Sequence, residues 1–170
     1  MDGVCGRRGG PPGRQLHRRR GPLRPGIPVS ASVPVNRRKV FLDTGIFIAA
    51  LSRRDQHHPR ARTLFGGVRP HWHTSLLVWS EAYSWFLHRH GEEAARSFRL
   101  FAGSLEGLVL LEVDAKHHRE TGRLLDRLRG TRLTYVDASS LVFIEQLGID
   151  TVWSTDHHLG LTGAEVLPRG

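Results

Sequence analysis

Three aspartates of this sequence stand where an apolar segment ends or a helix begins. Asp43 directly follows the apolar segment 40–42, Asp137 precedes an apolar helical segment, and Asp156 closes the segment 151–155. Carboxylate oxygens of this kind are the ligands that a hard cation such as Mg²⁺ or Mn²⁺ prefers. Each aspartate also has an ordinary structural alternative, as a helix N-cap or a turn residue. The residue types therefore predict a divalent metal site if the fold brings these side chains together.

A fourth acid, Glu81, lies inside a predicted helix over residues 76–87. Its helical spacing puts it on the same face as the apolar residues Leu77, Val78, Ala82 and Trp85. Because a charged side chain is almost never buried without a partner, a carboxylate in an apolar stripe has no ordinary structural explanation. We therefore expect Glu81 to serve the same site as the three aspartates.

The elements that must position these acids alternate between strands and helices in the order β-α-α-β-α-α-β-α-β-α-β. Strands are predicted at 40–42, 71–75, 107–113, 133–136 and 151–155, with an edge strand at 164–167. This alternation is typical of an α/β fold in which helices cover both faces of a parallel sheet. The carboxyl ends of parallel strands meet at one edge, so the four acids are expected there. Carboxylates that repel each other in a cleft need a cation, which can activate water and polarise a phosphoryl oxygen.

Histidine pairs at 57–58, 117–118 and 157–158 raise the alternative of a zinc site. Adjacent residues project about 100° apart on a helix and to opposite faces of a strand, so the two members of a pair are not expected to bind one ion. The chain also has no cysteine or HExxH framework for zinc. The sequence therefore favours surface roles for these histidines.

The strong positive charge of the chain belongs to its first part. Residues 1–38 contain nine Arg and one acid, for a net charge of +8, whereas residues 39–170 contain 16 basic and 15 acidic residues. We expect 1–38 to be a disordered basic tail rich in Gly, Pro and Arg, or the product of a translation start assigned too far upstream. Residues 39–170 are long enough for a single domain with its own core.

Localisation follows from what the sequence does not contain. Cys5 is the single cysteine, which excludes an internal disulfide and fits a reducing compartment. No apolar run approaches the roughly 18–20 residues that span a bilayer, and the basic tail has no apolar signal-peptide core. We expect a cytoplasmic protein without a membrane partner.

Four segments of the chain together resemble a known family. FLDTGIFIAAL, TSLLVWSEA, LTYVDASSL and VWSTDHHL, in this order and spacing, resemble the PIN-domain family and, within it, the VapC-type ribonuclease toxins. The resemblance covers residues 39–167. It implies a three-layer α/β/α fold whose central parallel sheet has the strand order 3-2-1-4-5.

The same resemblance implies an endoribonuclease that depends on Mg²⁺ or Mn²⁺. The three aspartates would hold the metal directly or through water, and Glu81 would position or deprotonate the water that attacks an RNA phosphodiester. The family's acidic residues fall on Asp43, Glu81, Asp137 and Asp156, and supporting hydroxyls fall on Thr44 and Thr155. Gly45 departs from the family, since many relatives carry a polar side chain at that position.

The resemblance also implies partners. VapC-type proteins usually form homodimers and are neutralised by a VapB-type antitoxin that covers the acidic groove. From the sequence, Arg53, Arg54 and His157 are candidate contacts for RNA phosphates. The alternative function is a catalytically weak PIN-like module that binds RNA or a protein without turnover.

Overall fold

The computed structural model describes residues 38–67 and 69–169. The prediction of a disordered tail over 1–38 therefore lies outside the described residues, except at its last position. Arg38 forms ion pairs of 3.6 Å with Asp150 and with Glu165, so it belongs with the folded domain. Across the described ranges, no helix is both long and apolar enough to cross a membrane.

The described chain contains five strands, six α-helices and one 3₁₀ turn. The strands are β1 (Lys39–Leu42), β2 (His71–Ser75), β3 (Val109–Leu111), β4 (Thr151–Trp153) and β5 (Glu165–Leu167). The helices are α1 (Thr44–Leu51), α2 (His58–Gly66), α3 (Leu76–His90), α4 (Glu92–Gly103), α5 (Ala115–Arg127) and α6 (Tyr135–Leu147), and the 3₁₀ turn covers His157–Gly160.

The five strands form one parallel sheet in the order β3-β2-β1-β4-β5, which confirms the order that the family resemblance implied. The strand β1 is central, and its Val40 pairs with Trp72 of β2 on one side and Thr151 of β4 on the other. Right-handed crossovers put α1 to α4 on one face of the sheet and α5 and α6 on the other. The contacts agree, since α3 packs on α4 and α5 packs on α6.

Strand order makes the boundary between β1 and β4 the switch point of the sheet. The chain leaves β1 toward β2 and leaves β4 in the opposite direction, toward β5. Neighbouring crossovers therefore diverge, and a crevice opens at the carboxyl ends of β1 and β4. Asp43 follows β1 and Asp156 follows β4 by three residues, so the fold puts both of these acids at the crevice.

Aromatic side chains fill the core on the α1–α4 face. The fully buried ring of Phe47, on α1, meets Phe98 of α4 edge-on with centroids 5.4 Å apart, and Phe65 meets both Phe101 and Trp153 edge-on. Edge-to-face pairs of this kind stabilise a core beyond the area they bury. This packing fixes α1, and therefore its first residue beside the crevice.

Four helices begin at a residue whose side chain accepts a hydrogen bond from the first turn. These N-cap residues are Asp43, Ser75, Asp114 and Thr134. Asp43 directly follows β1 and Ser75 is the last residue of β2, so in both places strand and helix join without a loop. Such tight junctions hold the first helical turns rigidly against the sheet edge.

The predicted strand at 133–136 is wrong. The helix α6 begins at Tyr135, and Thr134 and Asp137 form a capping box. In this box the Thr134 hydroxyl accepts from the Asp137 amide at 3.1 Å, and the Asp137 carboxylate accepts from the Thr134 amide at 2.9 Å. These reciprocal bonds start the helix within a segment whose β-compatible residues suggested a strand. The strand β4 is therefore the segment 151–153, and the predicted edge strand at 164–167 is β5, Glu165–Leu167.

We expect Thr134→Ala to destabilise the protein by about 1 kcal/mol, because it leaves the first amides of α6 without their side-chain acceptor. Urea unfolding measures the loss. Thr134→Ser keeps the hydroxyl and should stay within about 0.5 kcal/mol of the parent. An equal loss in both variants would mean that the methyl group of Thr134, rather than its hydroxyl, stabilises this helix start.

Candidate functional site

Asp43 is the most deeply placed acid at the crevice. Its side chain is 6% exposed, and its Oδ2 atom accepts hydrogen bonds from the Ser154 hydroxyl at 2.7 Å and from the Gly45 amide at 3.3 Å. Its own amide donates to Trp153 at 3.0 Å, which extends the pairing of β1 and β4 by one residue. The backbone thus fixes this carboxylate at the end of the central strand.

Burial changes the acidity of Asp43. Removal from water raises the pKa of the Asp43 carboxyl from 3.8 to about 6, since low polarity penalises the charged form. The hydrogen bond from Ser154 and two backbone amides oppose this increase in pKa, and the negative charge of Asp137 adds to it. Asp137 is therefore close enough to Asp43 for the two charges to repel each other.

Ser154 connects two of the acids, and sequence analysis missed it. This residue is 1% exposed; its hydroxyl donates to Asp43 and accepts from the Asp156 amide at 2.9 Å. The only signal in the sequence was its position directly after β4, one residue before a hydroxyl that the family resemblance did single out. A buried serine that uses its hydroxyl as both donor and acceptor holds the ends of β1 and β4 together at the acids.

Glu81 reaches the site from α3. Its carboxylate accepts a hydrogen bond of 2.5 Å from the hydroxyl of Thr44, the residue that follows Asp43. The expectation that Glu81 sits in a buried stripe is wrong, because its side chain is exposed. The apolar stripe continues past it through Val78 and Ala82, which are buried. Glu81 is therefore a solvent-accessible acid that Thr44 holds at the rim of the crevice.

Asp137 and Thr155 complete the surroundings of Asp43. Asp137 is partly exposed in the first turn of α6. Its Oδ2 atom accepts hydrogen bonds from both the amide and the hydroxyl of Thr134, as part of the capping box. Thr155 lies against Gly45, and a Cβ atom added at Gly45 would overlap the Thr155 hydroxyl and come within 3.2 Å of its amide. Thr155 therefore occupies the space into which a side chain at position 45 would project.

The candidate RNA contacts occupy two different places. Arg53 and Arg54 follow the far end of α1, about 12 Å of helix away from Asp43, and both are exposed. They line a groove with Phe86 of α3 and Ala94 of α4 rather than the crevice. His157, in contrast, lies next to Asp156, and its side chain is 90% exposed.

The acids have no cationic partner in the folded domain. Over residues 38–67 and 69–169, none of the four forms an ion pair with lysine or arginine, and only Asp156 lies within 4.0 Å of histidine nitrogens, those of His157 and His158. A buried carboxylate with an elevated pKa beside other carboxylates is a donor set that fits a divalent cation. Among the described residues the four acids do not converge within 4.8 Å, so an ion between them would have to keep several of its waters, as Mg²⁺ can.

A different set of ligand atoms does converge. Among the described residues, Asp156, His157 and His158 offer donor atoms that all lie within 4.8 Å of one another. His157 and His158 do not project apart as predicted, because they begin a 3₁₀ turn in which their rings stack with centroids 4.4 Å apart. A regular helix or strand would have separated them.

Comparison with known proteins assigns the domain. The family model described as PIN domain matches residues 40–164. The chain therefore belongs to the PIN-domain family, and its fold agrees with the expectation from the four sequence segments. No curated protein sequence matches the chain.

Solved structures with the same fold include proteins of toxin–antitoxin systems. The chain is 24% identical to VapC20 of Mycobacterium tuberculosis, described as a sarcin-ricin loop cleaving toxin, with a TM-score of 0.68 over 74% of this chain and 95% of that one. It is 17% identical to a chain of a toxin–antitoxin complex from Klebsiella pneumoniae (TM-score 0.54, 76% and 96% covered). It is 15% identical to a chain of FitAcB from Neisseria gonorrhoeae (TM-score 0.56, 76% and 96% covered).

The pKa of Asp43 predicts how stability depends on pH. Between 3.8 and about 6 the folded protein binds more protons than the unfolded chain, so the free energy of unfolding falls as pH rises through this window. The full loss at neutral pH is about 3 kcal/mol. Asp43→Asn removes the titrating group, so we expect this pH-dependent loss of unfolding free energy to disappear. Near pH 7 the variant should be more stable than the parent by up to about 3 kcal/mol. Urea unfolding in EDTA measures both.

A matched variant and a cation sharpen this measurement. Asp126→Asn changes an exposed aspartate on α5 and should differ from the parent by no more than about 0.5 kcal/mol at any pH in the window. Adding Mg²⁺ should reduce the loss in the parent, because a cation stabilises the ionised form of Asp43. A parent curve that parallels Asp43→Asn in EDTA would show that Asp43 does not titrate in this window.

Proposed function

We propose that this protein is a divalent-metal-dependent endoribonuclease and the toxin of a VapBC-type toxin–antitoxin pair. The observation that carries the proposal is the linkage of acids at the switch point of the sheet. Ser154 ties Asp43 to Asp156, Thr44 ties Glu81 to the same place, and no lysine or arginine of the described chain neutralises them. A structural cluster would be expected to have such partners. An RNA-cleaving toxin would act in the cytoplasm.

The metal would bind between Asp43, Asp137 and Asp156. Mg²⁺ or Mn²⁺ would supply Lewis-acid polarisation of a phosphoryl oxygen and lower the pKa of a bound water. Asp43 contributes a carboxylate whose pKa of about 6 falls when a cation replaces its proton. Ser154 and the Gly45 amide keep this carboxylate oriented toward the crevice by hydrogen bonds to one oxygen, which leaves the other free.

Glu81 is suited to handle the proton of the attacking water. It is exposed, so water reaches it, and the 2.5 Å bond from Thr44 fixes one carboxylate oxygen while the other can accept a proton. A positioned carboxylate of this kind contributes about 10²–10⁴-fold as a general base. The water then attacks the phosphorus in line, and the bond to the leaving sugar oxygen breaks.

Substrate contacts are proposed at two sites. His157 projects next to Asp156 and would meet the phosphate adjacent to the one that is cleaved. Arg53 and Arg54 lie at the opposite end of α1, so they would contact a phosphate several nucleotides away or a second arm of a folded RNA. Their role is therefore in binding a longer RNA rather than in the chemical step.

The partners follow from the proteins that share the fold. Structures of toxin–antitoxin complexes are among the neighbours, so a VapB-type antitoxin is proposed for this chain. An antitoxin segment that covers the crevice would place a basic side chain near the acids, because they offer negative charge without an internal counter-charge.

A module that binds RNA or a protein without turnover is the second candidate. The observation that favours it is that the four carboxylates do not converge within 4.8 Å. The two candidates make different predictions about the integrity of the RNA, so one assay separates them.

The test is cleavage of RNA by antitoxin-free protein in Mg²⁺, Mn²⁺ or EDTA. Total RNA and a sarcin-ricin loop hairpin serve as substrates, the second because VapC20 is described as cleaving that loop. We expect metal-dependent cleavage, and a rate loss of at least about a hundredfold in Asp43→Asn and in Glu81→Gln. Gel separation of end-labelled RNA measures both.

Matched controls exclude a general effect of lost charge. Asp126→Asn and Glu93→Gln change exposed carboxylates that form surface ion pairs on α5 and α4, and both should retain the parent rate. If every RNA stays intact in all metals but binds the folded protein, the binding module replaces the nuclease.

A second copy of this chain is the proposed occupant of a groove between α3, α4 and the edge strand β3. The groove has a volume of about 790 Å³ and is lined by the stacked pair Trp79 and Tyr83, by Leu100 and by Leu110. Leu100 is 61% exposed and Leu110 is 45% exposed. Glu92 and Arg96 also line the groove, and a two-fold axis would bring opposite charges of two copies together.

We expect Leu100→Glu to convert a homodimer to a monomer, because two buried carboxylates would face each other across the axis. Light scattering after size-exclusion chromatography measures the mass. Leu161→Glu, at a 49% exposed leucine beyond the 3₁₀ turn, is the control and should remain dimeric. A dimer that survives Leu100→Glu must use another face.

A further inference from the structure

Asp156, His157 and His158 form a group that the acidic site does not explain. They follow β4 in the chain, and the Asp156 carboxylate caps the 3₁₀ turn by accepting from the His158 amide at 2.9 Å. The Ser154 hydroxyl accepts from the Asp156 amide at 2.9 Å, which fixes the start of the same turn. The backbone therefore presents one carboxylate and two imidazoles on the same side.

The donor atoms are spaced as ligands of a single ion. Asp156 Oδ1 lies 2.8 Å from His158 Nδ1 and 3.9 Å from His157 Nδ1. Nitrogen and oxygen ligands sit about 2.0–2.2 Å from a zinc ion, so two of them are at most about 4.2 Å apart. Both distances satisfy this limit, and the third pair, the two histidine nitrogens, lies within 4.8 Å, so a shift of less than about 0.6 Å brings it to the same limit.

In the structure the two imidazole rings stack. His157 and His158 have centroids 4.4 Å apart and ring planes inclined by 29°, so their in-plane nitrogen lone pairs run side by side, and one ring must turn before both nitrogens bind one ion. The His157 side chain is 90% exposed and free to adjust by a small rotation. Without a metal, the His158 Nδ1–H group donates to the Asp156 carboxylate, so metal binding would replace this hydrogen bond and move the proton to Nε2, which leaves Nδ1 as the metal ligand.

We propose that Asp156, His157 and His158 bind a borderline transition-metal ion such as Zn²⁺ or Co²⁺, with water in the remaining positions. Two imidazole nitrogens and one carboxylate form a ligand set for such ions, whereas Mg²⁺ prefers oxygen. Three ligands from consecutive residues on one capped turn need little reordering to bind. The site is open to solvent, so affinity in the micromolar range is expected rather than the affinity of a closed structural site.

The consequence for the acidic site rests on the proposed function. Asp156 belongs to both ligand sets, and a Zn²⁺ ion held by the two histidines would draw this carboxylate away from Asp43 and Asp137. The histidines would then make the nuclease sensitive to zinc in the presence of Mg²⁺. Detecting this regulation requires cleavage activity, whereas detecting zinc binding does not.

The first test is a calorimetric titration of Zn²⁺ into untagged, metal-free protein with millimolar Mg²⁺ present. The second is the visible absorption spectrum of a separate metal-free sample to which Co²⁺ is added. We expect one ion per chain and a Co²⁺ spectrum with nitrogen ligation. His157→Ala, His158→Ala and Asp156→Asn should each weaken binding by about tenfold or more. Circular dichroism checks the fold, which a change at the exposed His157 should leave intact.

The control pair is His88→Ala with His90→Ala, since these exposed histidines stand in the last turn of α3, away from the 3₁₀ turn. The control should bind as the parent does. Absence of binding in the parent, or equal binding in His158→Ala and in the control, overturns the proposal. These measurements use no RNA, so they test the zinc site even if the protein does not cleave RNA.

Where RNA cleavage is observed, the ratio of rates with and without Zn²⁺ is compared within each variant. We expect Zn²⁺ to slow the parent and to have a smaller effect on His158→Ala. An equal zinc effect in both would place inhibition at the acids alone. Comparing ratios removes any change in the basal rate of the variant.

Discussion

The structure depends on a carboxylate that is buried where the central strand ends. Removing Asp43 from water disfavours its charge, and its pKa of about 6 measures that cost. The same residue has two structural roles, because its amide continues the pairing with β4 and its side chain caps α1. One residue thus joins the sheet, the first helix and the crevice, and a cation that favours the ionised form would stabilise all three.

Hydroxyl groups rather than basic side chains organise the remaining acids. Ser154 and Thr44 orient the carboxylates of Asp43 and Glu81 without neutralising them. A lysine in the same place would have stabilised the fold and removed the negative charge that a metal needs. Hydrogen bonds from hydroxyls therefore fix positions and leave the electrostatic demand for a cation in place.

If both proposed metal sites exist, Asp156 is a ligand that two kinds of ion would share. Toward β1 it shares Ser154 with a buried carboxylate, and toward the 3₁₀ turn it contacts two imidazoles. Oxygen ligands favour hard ions and imidazoles favour borderline ones, so the choice of ion depends on which neighbours the carboxylate joins. The short 3₁₀ turn creates this choice because it brings adjacent histidines to one side.

Much of the fold was predictable because local patterns and tertiary structure agree. An apolar strand, an aspartate and an apolar helix at residues 40–51 predict the β1–α1 unit, and the family resemblance supplied the strand order. The segment 133–136 failed because its residues suit a strand, while the capping box of Thr134 and Asp137 starts a helix there. That box is a local signal with known spacing, so it could have been read from the sequence.

The sequence by itself predicted the parallel sheet and the edge at which Asp43 and Asp156 lie, because these follow from apolar periodicity and from the direction of parallel strands. Only the tertiary structure decided that Ser154 links two of the acids, that Glu81 is exposed and bonded to Thr44, and that Thr155 takes the space beside Gly45. These contacts join residues as many as 111 positions apart, and such pairs form only when the strands are packed side by side.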